Sequence, residues 1–306
     1  MMNRRRFLTI TATATAIAGL AAPAALAGPK RVWTGIALGA RASIRLDHPD
    51  AEAIAARAAA EIARLEGVFS LFRADSALSR LNAEGRLDAP PPELLECLAL
   101  AGAVHRASSG AFDPTVQPLW ALWAERAVAG TRPSAAELAT ARGLGGWDAL
   151  RLDEAAIAMA PGMGLTLNGI AQGFIGDRVA ALLTAEGLTD ILIDTGEHVA
   201  LGQMPGGGTW PVRLAQGGEV GLSDRALATS APNGTVFDQG GRYGHILDPR
   251  TGEPAPARWA GISITAPSAA LADALSTSAC LMANRQAIDA MAARFDGVAC
   301  VSLLPL

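Results

Sequence analysis

The feature that most constrains the fold is a stretch of small and apolar residues at positions 271–280. Pro267 and Ser268, just upstream, are typical of a helix start, so Asp273 and Thr277 fall four residues apart on one helical face. The opposite face can pack against a neighbour. A carboxylate beside a hydroxyl offers only oxygen ligands, which suits a hard cation such as Mg²⁺ better than zinc. The alternative is a buried helix in which Asp273 is solvated and the Thr277 hydroxyl bonds to its own backbone.

The composition indicates a globular protein with a substantial core. Of the 306 residues 50% are hydrophobic, which is enough for one large domain or two smaller ones. The net charge of -4 argues against a nucleic-acid-binding surface, and Lys30 is the only lysine, so catalysis by lysine is not expected. Cys97, Cys280 and Cys300 are predicted to be buried and free, with a bridge between the last two as the alternative.

Residues 1–27 are predicted to be a targeting segment. Consecutive arginines at positions 4–6 precede an apolar, alanine-rich run, and Ala25 and Ala27 supply the small residues that a signal peptidase requires. The arginines followed by Phe-Leu resemble a twin-arginine signal. We therefore expect export to the periplasm and a mature protein, residues 28–306, that forms a single domain. A transmembrane anchor is the alternative, but the run is short for a spanning helix.

A glycine-containing region, residues 165–178, is predicted to form a strand, a tight turn and the start of a helix at 175–185. Free amide groups and the positive dipole end at such a helix start can hold a phosphate. The glycine spacing matches neither the Rossmann nor the P-loop pattern, so a purely structural turn is an equal alternative.

Aromatic residues cluster in the segment 111–123. Pro114 and Pro118 argue against a regular helix, so an irregular loop is predicted. Phe112, Trp120 and Trp123 then either pack in the core or form a wall on which a planar ring stacks.

Six segments occur in an order that resembles the ApbE-type FAD:protein FMN transferases. They are residues 75–82 (DSALSRLN), 112–119 (FDPTVQPL), 168–174 (NGIAQGF), 227–230 (LATS), 245–252 (HILDPRTG) and 272–277 (ADALST). Each motif alone is weak, but six in this order are specific, and they cover nearly the whole mature chain. The sequence around residue 169, together with the twin-arginine pattern, is similar to the NosX branch, which is associated with maturation of the nitrous oxide reduction system.

The resemblance implies an α+β fold in which mixed or antiparallel sheets and packed helices enclose a flavin cleft. It implies a magnesium site made by Asp273, Thr277, the nearby Ser276 and the backbone carbonyl of Gly169. His245 matches a histidine implicated in catalysis. The positions that match residues lining the FAD site are Leu38, Phe72, Ala111, Phe112, Asp113, Thr166, Gln172 and Ile246.

Two of these positions depart from the family pattern. Many members have Lys or Glu where this chain has Gln172, so a charge is missing there. An aspartate is often found at the position of Thr166, which affects contacts to the adenine or ribose of FAD.

The reaction that the resemblance implies is transfer of FMN from FAD to a threonine hydroxyl of an acceptor flavoprotein, with release of AMP. The acceptor is expected to be membrane-anchored and similar to NosR. Transfer at phosphorus gains mainly from charge neutralisation by Mg²⁺ and from alignment, while His245, or a carboxylate such as Asp248, takes the hydroxyl proton. Two other functions would use the same site: hydrolysis of FAD, and binding or delivery of FAD without turnover.

Overall fold

The computed structural model describes residues 31–46, 48–214 and 217–306. The predicted targeting segment, residues 1–27, lies outside the described residues. Within the described ranges, no helix has both the length and the apolar character needed to cross a membrane. Cys97, Cys280 and Cys300 are buried and free, as the sequence predicts.

An antiparallel seven-stranded sheet forms the centre of the fold. Its first two strands form a hairpin with a turn at Leu38 and Gly39, where both residues have positive φ. Every strand pairing is antiparallel, so the predicted α+β fold is confirmed in its antiparallel form. In sheet order the strands are β1 (Arg31–Ala37), β2 (Ala40–Leu46), β6 (Ile191–Asp194), β7 (His198–Leu201), β10 (Arg225–Ser230), β11 (Trp259–Ala266) and β12 (Ala299–Pro305).

Two smaller antiparallel sheets complete the strand structure. One contains β3 (Arg86–Asp88), β5 (Ala156–Ala158) and β4 (Arg151–Leu152). The other is a hairpin of β8 (Trp210–Arg213) and β9 (Glu219–Leu222).

The helices in the described part of the chain include a long helix at 51–69 and the helix predicted from Pro267 and Ser268. Ser268 caps the latter by accepting a hydrogen bond from the Leu271 N–H. In chain order the α-helices are α1 (Ala51–Phe69), α2 (Ala77–Glu84), α3 (Pro92–Ala107), α4 (Gln117–Val128), α5 (Ala135–Gly143), α6 (Ala171–Ala185), α7 (Ala269–Ala279) and α8 (Arg285–Ala292).

The central sheet buries both faces, but against different partners. Cross-strand neighbours Ile44, Ile193 and Val199 pack on one face in the main core, to which α1, α3, α6 and α7 also contribute. The opposite face carries Leu192 and Leu227, which pack under the β8–β9 hairpin. Side chains alternate between the two faces of the pleated sheet. The turn that joins β6 to β7 brings polar residues to the margin of the sheet.

The helix α4 corrects the prediction for residues 111–123. α4 begins at Gln117, so Trp120 and Trp123 lie on a helix and not in an irregular loop. Pro118 is compatible with this helix because it occupies the first turn, where an N–H has no intrahelical acceptor. Trp123 is buried in a cluster with Leu138 and Phe237.

The helix α6 also corrects a prediction. It begins at Ala171, four residues earlier than expected, and residues 165–170 directly before it do not form the predicted strand. The glycines that suggested a turn, Gly173 and Gly176, lie inside the helix. Tertiary contact outweighs their low helix propensity, because the backbone of Ala269 and the side chain of Thr195 approach them closely.

Helices α6 and α7 cap each other where they meet. Asp177 of α6 accepts hydrogen bonds from the N–H groups of Ala269 and Ala270, at 2.7 and 2.9 Å. Asp273 of α7 in turn accepts one from the Gly173 N–H in the first turn of α6, at 3.4 Å. Each carboxylate satisfies amides that a helix start leaves free and lies near the positive end of the partner helix. This exchange fixes the two helix starts relative to one another.

We expect Gly173 to be irreplaceable at this contact. A Cβ added there would stand 2.3 Å from the Ala269 carbonyl oxygen, so the helices would have to separate. Gly173→Ala should therefore lower the free energy of unfolding by at least about 2 kcal/mol. Gly67→Ala is the matched control, because Gly67 also lies inside a helix and nothing is within 4 Å of its added Cβ.

The control substitution should raise the free energy of unfolding by about 0.5–1 kcal/mol, since alanine restricts the unfolded chain. Urea unfolding of the two variants measures both effects. Equal changes in the two variants would contradict a close backbone contact at residue 173.

Candidate active site

A cavity of about 700 Å³ lies at the margin of the central sheet, where the β6–β7 turn and the end of β10 meet α6 and α7. Its size is within the usual range for small-molecule sites, about 300–1,000 Å³. Gly169, Asp273 and Thr277 all line it. The structure therefore brings together the turn before α6 and the acid–hydroxyl pair of α7, about a hundred residues apart in the sequence.

Asp273 is a buried carboxylate on the cavity wall. Only 3% of the residue is exposed, and the one hydrogen bond that its carboxylate accepts from the described residues is the long contact from the Gly173 N–H. Burial raises the pKa of Asp273 to about 7, although the Gly173 N–H lowers it. The predicted alternative of a solvated Asp273 is therefore wrong.

Glu197 is a second buried carboxylate in the same cavity, and the sequence analysis missed it. It accepts a hydrogen bond from the Thr229 N–H at 3.1 Å. Burial, reinforced by the charge of Asp273, raises the pKa of Glu197 well above its ordinary value. The available signal was its position in the polar turn that follows the buried strand β6.

Thr277 faces Gly169 across a very short gap. A Cβ added to Gly169 would lie 3.0 Å from Thr277 Oγ1, so a side chain at this position would crowd the Thr277 hydroxyl. The Thr277 hydroxyl contacts Ser230 Oγ at 3.3 Å and makes no bond to its own helix backbone, contrary to the alternative considered from the sequence. No N–H or O–H from the described residues donates to the Gly169 carbonyl.

Ser276 lies behind the cavity wall and not on it. Its side chain is fully buried, with Oγ 2.7 Å from Ser230 Oγ and 3.0 Å from the backbone carbonyl of Asp273, to which it donates. The structure thus separates Ser276 from Asp273 and Thr277, which do face the cavity.

His245 lines the cavity and is oriented by the backbone. Its Nδ1 lies 3.0 Å from the Thr235 carbonyl oxygen, which can only accept a hydrogen bond. In the neutral ring Nδ1 therefore carries the proton, and Nε2 is unprotonated. Burial lowers the pKa of His245, so the neutral form predominates at pH 7. Such an imidazole can act as a general base.

Asp248, the alternative base, is engaged elsewhere. Its two carboxylate oxygens accept from the Arg250 guanidinium at 2.8 and 2.7 Å, and these bonds outweigh partial burial to lower the pKa of Asp248. Asp248 does not line the cavity, whereas Ile246 and Leu247 do.

Most of the residues matched to a FAD site lie together in the cavity wall, where three apolar side chains are joined by three polar ones. They are Ala111, Phe112, Asp113, Thr166, Gln172 and Ile246. Trp120 joins them, in agreement with the alternative that the sequence left open for this aromatic residue. Two hydrogen bonds fix the segment that contains Phe112 and Asp113. His105 Nδ1 lies 2.8 Å from the Phe112 carbonyl oxygen, and the Asp113 carboxylate accepts from the Thr115 N–H.

Leu38 and Phe72 lie outside this wall. The Leu38 N–H donates to Glu66 near the end of α1, and Phe72 follows α1 with 41% of the residue exposed. The sequence analysis also missed one side of the cavity, which carries His198, Arg213 and the hairpin residues beside it. These come from β7 and β8, whose approach depends on the sheet and not on any local motif.

The donor set fits a hard divalent cation. Asp273 and Glu197 have no ion-paired arginine or lysine in the described part of the chain, and a divalent cation would offset the repulsion between two buried carboxylates. The described residues contain no cluster of three or more His, Cys, Asp or Glu side chains. The ligands would therefore combine a carboxylate with the Thr277 hydroxyl and the Gly169 carbonyl, all of them oxygen donors.

This chain is similar to known proteins of one family. A family model described as the ApbE family matches residues 38–302. The FAD:protein FMN transferase of Treponema pallidum is 32% identical over 296 residues, covering 81% of this chain and 79% of that protein. A protein of the same name from Klebsiella pneumoniae is 31% identical, covering 72% of this chain and 73% of its own length.

Solved structures show the same fold. The apo form of the Pseudomonas stutzeri flavinyl transferase ApbE superposes with a TM-score of 0.76 at 28% identity, covering 90% of this chain and 92% of that one. The ApbE protein of Thermotoga maritima gives a TM-score of 0.78 at 25% identity, covering 89% and 94%.

The antiparallel fold is that of the ApbE flavin transferases. The chain belongs to the ApbE family, and it is a transferase. The resemblance stated from the six sequence segments is thereby confirmed, and so is the ApbE-like fold.

Proposed function

We propose that the chain is a magnesium-dependent FAD:protein FMN transferase that moves FMN from FAD to a threonine hydroxyl of an acceptor flavoprotein and releases AMP. The observation that carries this proposal is that Asp273, Thr277, the Gly169 turn and His245 all line the same cavity. One end of such a site can hold phosphates and a cation, and the other can hold flat rings.

The oxygen donors of Asp273, Thr277 and Gly169 would hold Mg²⁺. When bound, Mg²⁺ supplies charge neutralisation on the phosphate oxygens of the pyrophosphate. Without it, the negative charge of the two phosphates would lie beside Asp273, whose ionised carboxylate would oppose binding.

The reaction breaks one P–O bond of the FAD pyrophosphate and forms one P–O bond between the FMN phosphorus and the threonine oxygen. AMP leaves with the second phosphate, and the threonine hydroxyl releases a proton. His245 accepts that proton at Nε2, because its Nδ1–H is already directed at Thr235. The protein otherwise acts by holding the two reactants in the correct orientation, which can lower the activation free energy by several kcal/mol.

The wall formed by Phe112, Trp120 and Ile246 supports binding of the flat rings of FAD. The side-chain amide of Gln172 lies close to Gly196. Because Gln172 and Thr166 are neutral, they bind through hydrogen bonds and add no charge to the site.

The test uses purified protein, residues 28–306, with FAD, Mg²⁺ and the soluble domain of a membrane-anchored flavoprotein as acceptor. We expect a covalently fluorescent acceptor and one AMP per flavin transferred. Free FMN with AMP and no labelled acceptor would indicate hydrolysis of FAD instead. Intact FAD recovered with the protein would indicate binding or delivery without turnover. Either of these two outcomes would overturn the proposal.

We also propose that the protein works in the periplasm on an acceptor similar to NosR, in maturation of the nitrous oxide reduction system. The twin-arginine pattern in residues 1–27 and the likeness to the NosX branch support this. Replacing Arg4, Arg5 and Arg6 by lysine should leave the protein in the cytoplasmic fraction. Unchanged recovery of that variant from the periplasm would contradict twin-arginine export.

A further inference from the structure

Three hydroxyl groups form a connected chain at the junction of β10 and α7. Ser230 Oγ lies 2.7 Å from Ser276 Oγ and 3.3 Å from Thr277 Oγ1. Ser276 Oγ also lies 3.0 Å from the carbonyl oxygen of Asp273. Of the three hydroxyl-bearing residues, Ser230 and Thr277 line the cavity, while Ser276 does not.

The direction of this chain follows from counting protons. Each hydroxyl has one hydrogen to donate, and a carbonyl can only accept. Ser276 gives its hydrogen to the Asp273 carbonyl, so toward Ser230 it must accept. Ser230 therefore donates its hydrogen to Ser276 and accepts a hydrogen bond from the Thr277 hydroxyl. The Thr277 hydrogen consequently points toward β10.

This direction decides what Thr277 offers to the cavity. A hydroxyl whose hydrogen is already donated presents only lone pairs on its other side, as a carbonyl does. The Thr277 Oγ1 lies against Gly169, whose carbonyl has no donor among the described residues. Two acceptor-only oxygens and the Asp273 carboxylate on one wall match the ligands that a hard cation requires.

We propose that Ser230 is a positioning residue, which holds the Thr277 hydroxyl in the orientation that binds a divalent cation. The inference rests on the proposed magnesium-dependent function. In Ser230→Ala the Thr277 hydrogen loses its acceptor and can rotate toward the cavity, where it would oppose a cation. Partners that orient metal ligands typically affect affinity about 10–100-fold when they are removed.

Two buried serines provide matched controls. Ser278, one residue beyond Thr277, donates to the Ala274 carbonyl at 2.6 Å, and Ser263 contacts Thr229 at 2.8 Å. Both are buried, and neither lines the cavity. Loss of either hydroxyl tests the effect of removing a buried hydrogen bond without touching the Ser230 chain.

The experiment is calorimetric titration of the mature protein with Mg²⁺ alone, together with the Mg²⁺ dependence of FMN transfer. We expect Ser230→Ala to weaken Mg²⁺ binding about 10–100-fold, with transfer at saturating Mg²⁺ and the KM for FAD largely retained. Ser230→Thr, which keeps the hydroxyl, should remain within about threefold of the parent protein, and Ser278→Ala and Ser263→Ala should bind Mg²⁺ as the parent does.

Should Ser230→Ala fold poorly, Ser230→Cys retains a similar shape but offers a weak sulfur acceptor, and the same loss of affinity is expected. Unchanged Mg²⁺ affinity in Ser230→Ala or Ser230→Cys would overturn the inference, as would an equal loss in Ser278→Ala. If the parent protein itself binds no Mg²⁺ and transfers FMN in its absence, the proposed metal role fails first, and the inference fails with it.

Discussion

Asp273→Ala is expected to reduce FMN transfer by about a thousandfold or more while the protein remains folded. Asp273 is the only described carboxylate on α7 that faces the cavity, and its loss removes the charged ligand of the proposed cation site. A loss of several kcal/mol in transition-state stabilisation corresponds to rate factors of this size. Transfer is measured as flavin fluorescence of the acceptor at saturating FAD and Mg²⁺, and folding by circular dichroism.

Ser278→Ala, on the same helix, is the control and should retain full activity. Near-parent activity in Asp273→Ala would rule out the proposed role of this carboxylate. A readout independent of activity comes from Asp273→Asn. In metal-free protein the raised pKa of Asp273 means that the folded state holds its proton more tightly than the unfolded state does.

The stability of the metal-free protein should therefore fall as the pH rises from 3.8 to about 7, the ordinary and folded-state pKa values of Asp273. Asp273→Asn should make this fall shallower. Part of the pH dependence of stability should remain in the variant, because the pKa of Glu197 is also raised. Addition of Mg²⁺ should restore stability to the parent protein at pH 8 and not to the variant. An identical pH dependence in both proteins would contradict the buried carboxylate.

His245→Gln is expected to lower the rate of transfer by about 10²–10⁴-fold, the usual contribution of a general base. The pKa of His245 lies below its ordinary value of 6.5 because burial disfavours the charged ring. In the parent protein, activity should therefore be constant near neutral pH and fall only as the pH decreases through that lowered pKa. The variant should lack this acidic limb, and added imidazole should partly restore its activity.

Asp248→Asn is the matched comparison, because Asp248 is the other base considered from the sequence. Its carboxylate is bound to Arg250 outside the cavity, so the variant should retain most of its activity and the same acidic limb. A larger rate loss in Asp248→Asn than in His245→Gln would reverse the assignment.

The helices were predictable where local chemistry is strong. α1 has apolar residues at helical spacing, and α7 follows a serine cap after a proline, so the start of α7 was predicted close to its observed bound. The irregular loop predicted for residues 111–123 was wrong from Gln117 onward, where α4 begins, and α6 begins four residues earlier than predicted, because Pro118 and Gly173 usually interrupt helices. In α4 the proline falls in the tolerated first turn, and in α6 the close contact of Gly173 with Ala269 outweighs propensity.

The site was predictable only as separate pieces. The sequence indicated Asp273 and Thr277 as one pair and the Gly169 turn as another element, and the family resemblance joined them. It did not reveal Glu197, because an acidic residue in a turn is usually solvated, and here it is buried by β10 and α7. Nor did the sequence show which of these helical residues faces the cavity. Adjacent residues of a helix point about 100° apart, and in the structure Thr277 faces the cavity while Ser276 lies behind the wall.

The sequence by itself determined the periodic elements, the order of the family segments and the oxygen-only character of the pair on α7. Only the tertiary structure decided which groups share a cavity, which carboxylates are buried and which hydroxyl can donate its proton. The physical reason is that periodicity and capping depend on residues a few positions apart. Burial, pKa and hydrogen-bond direction instead depend on neighbours such as Gly173 and Asp273, a hundred residues apart, that meet only when the helices pack.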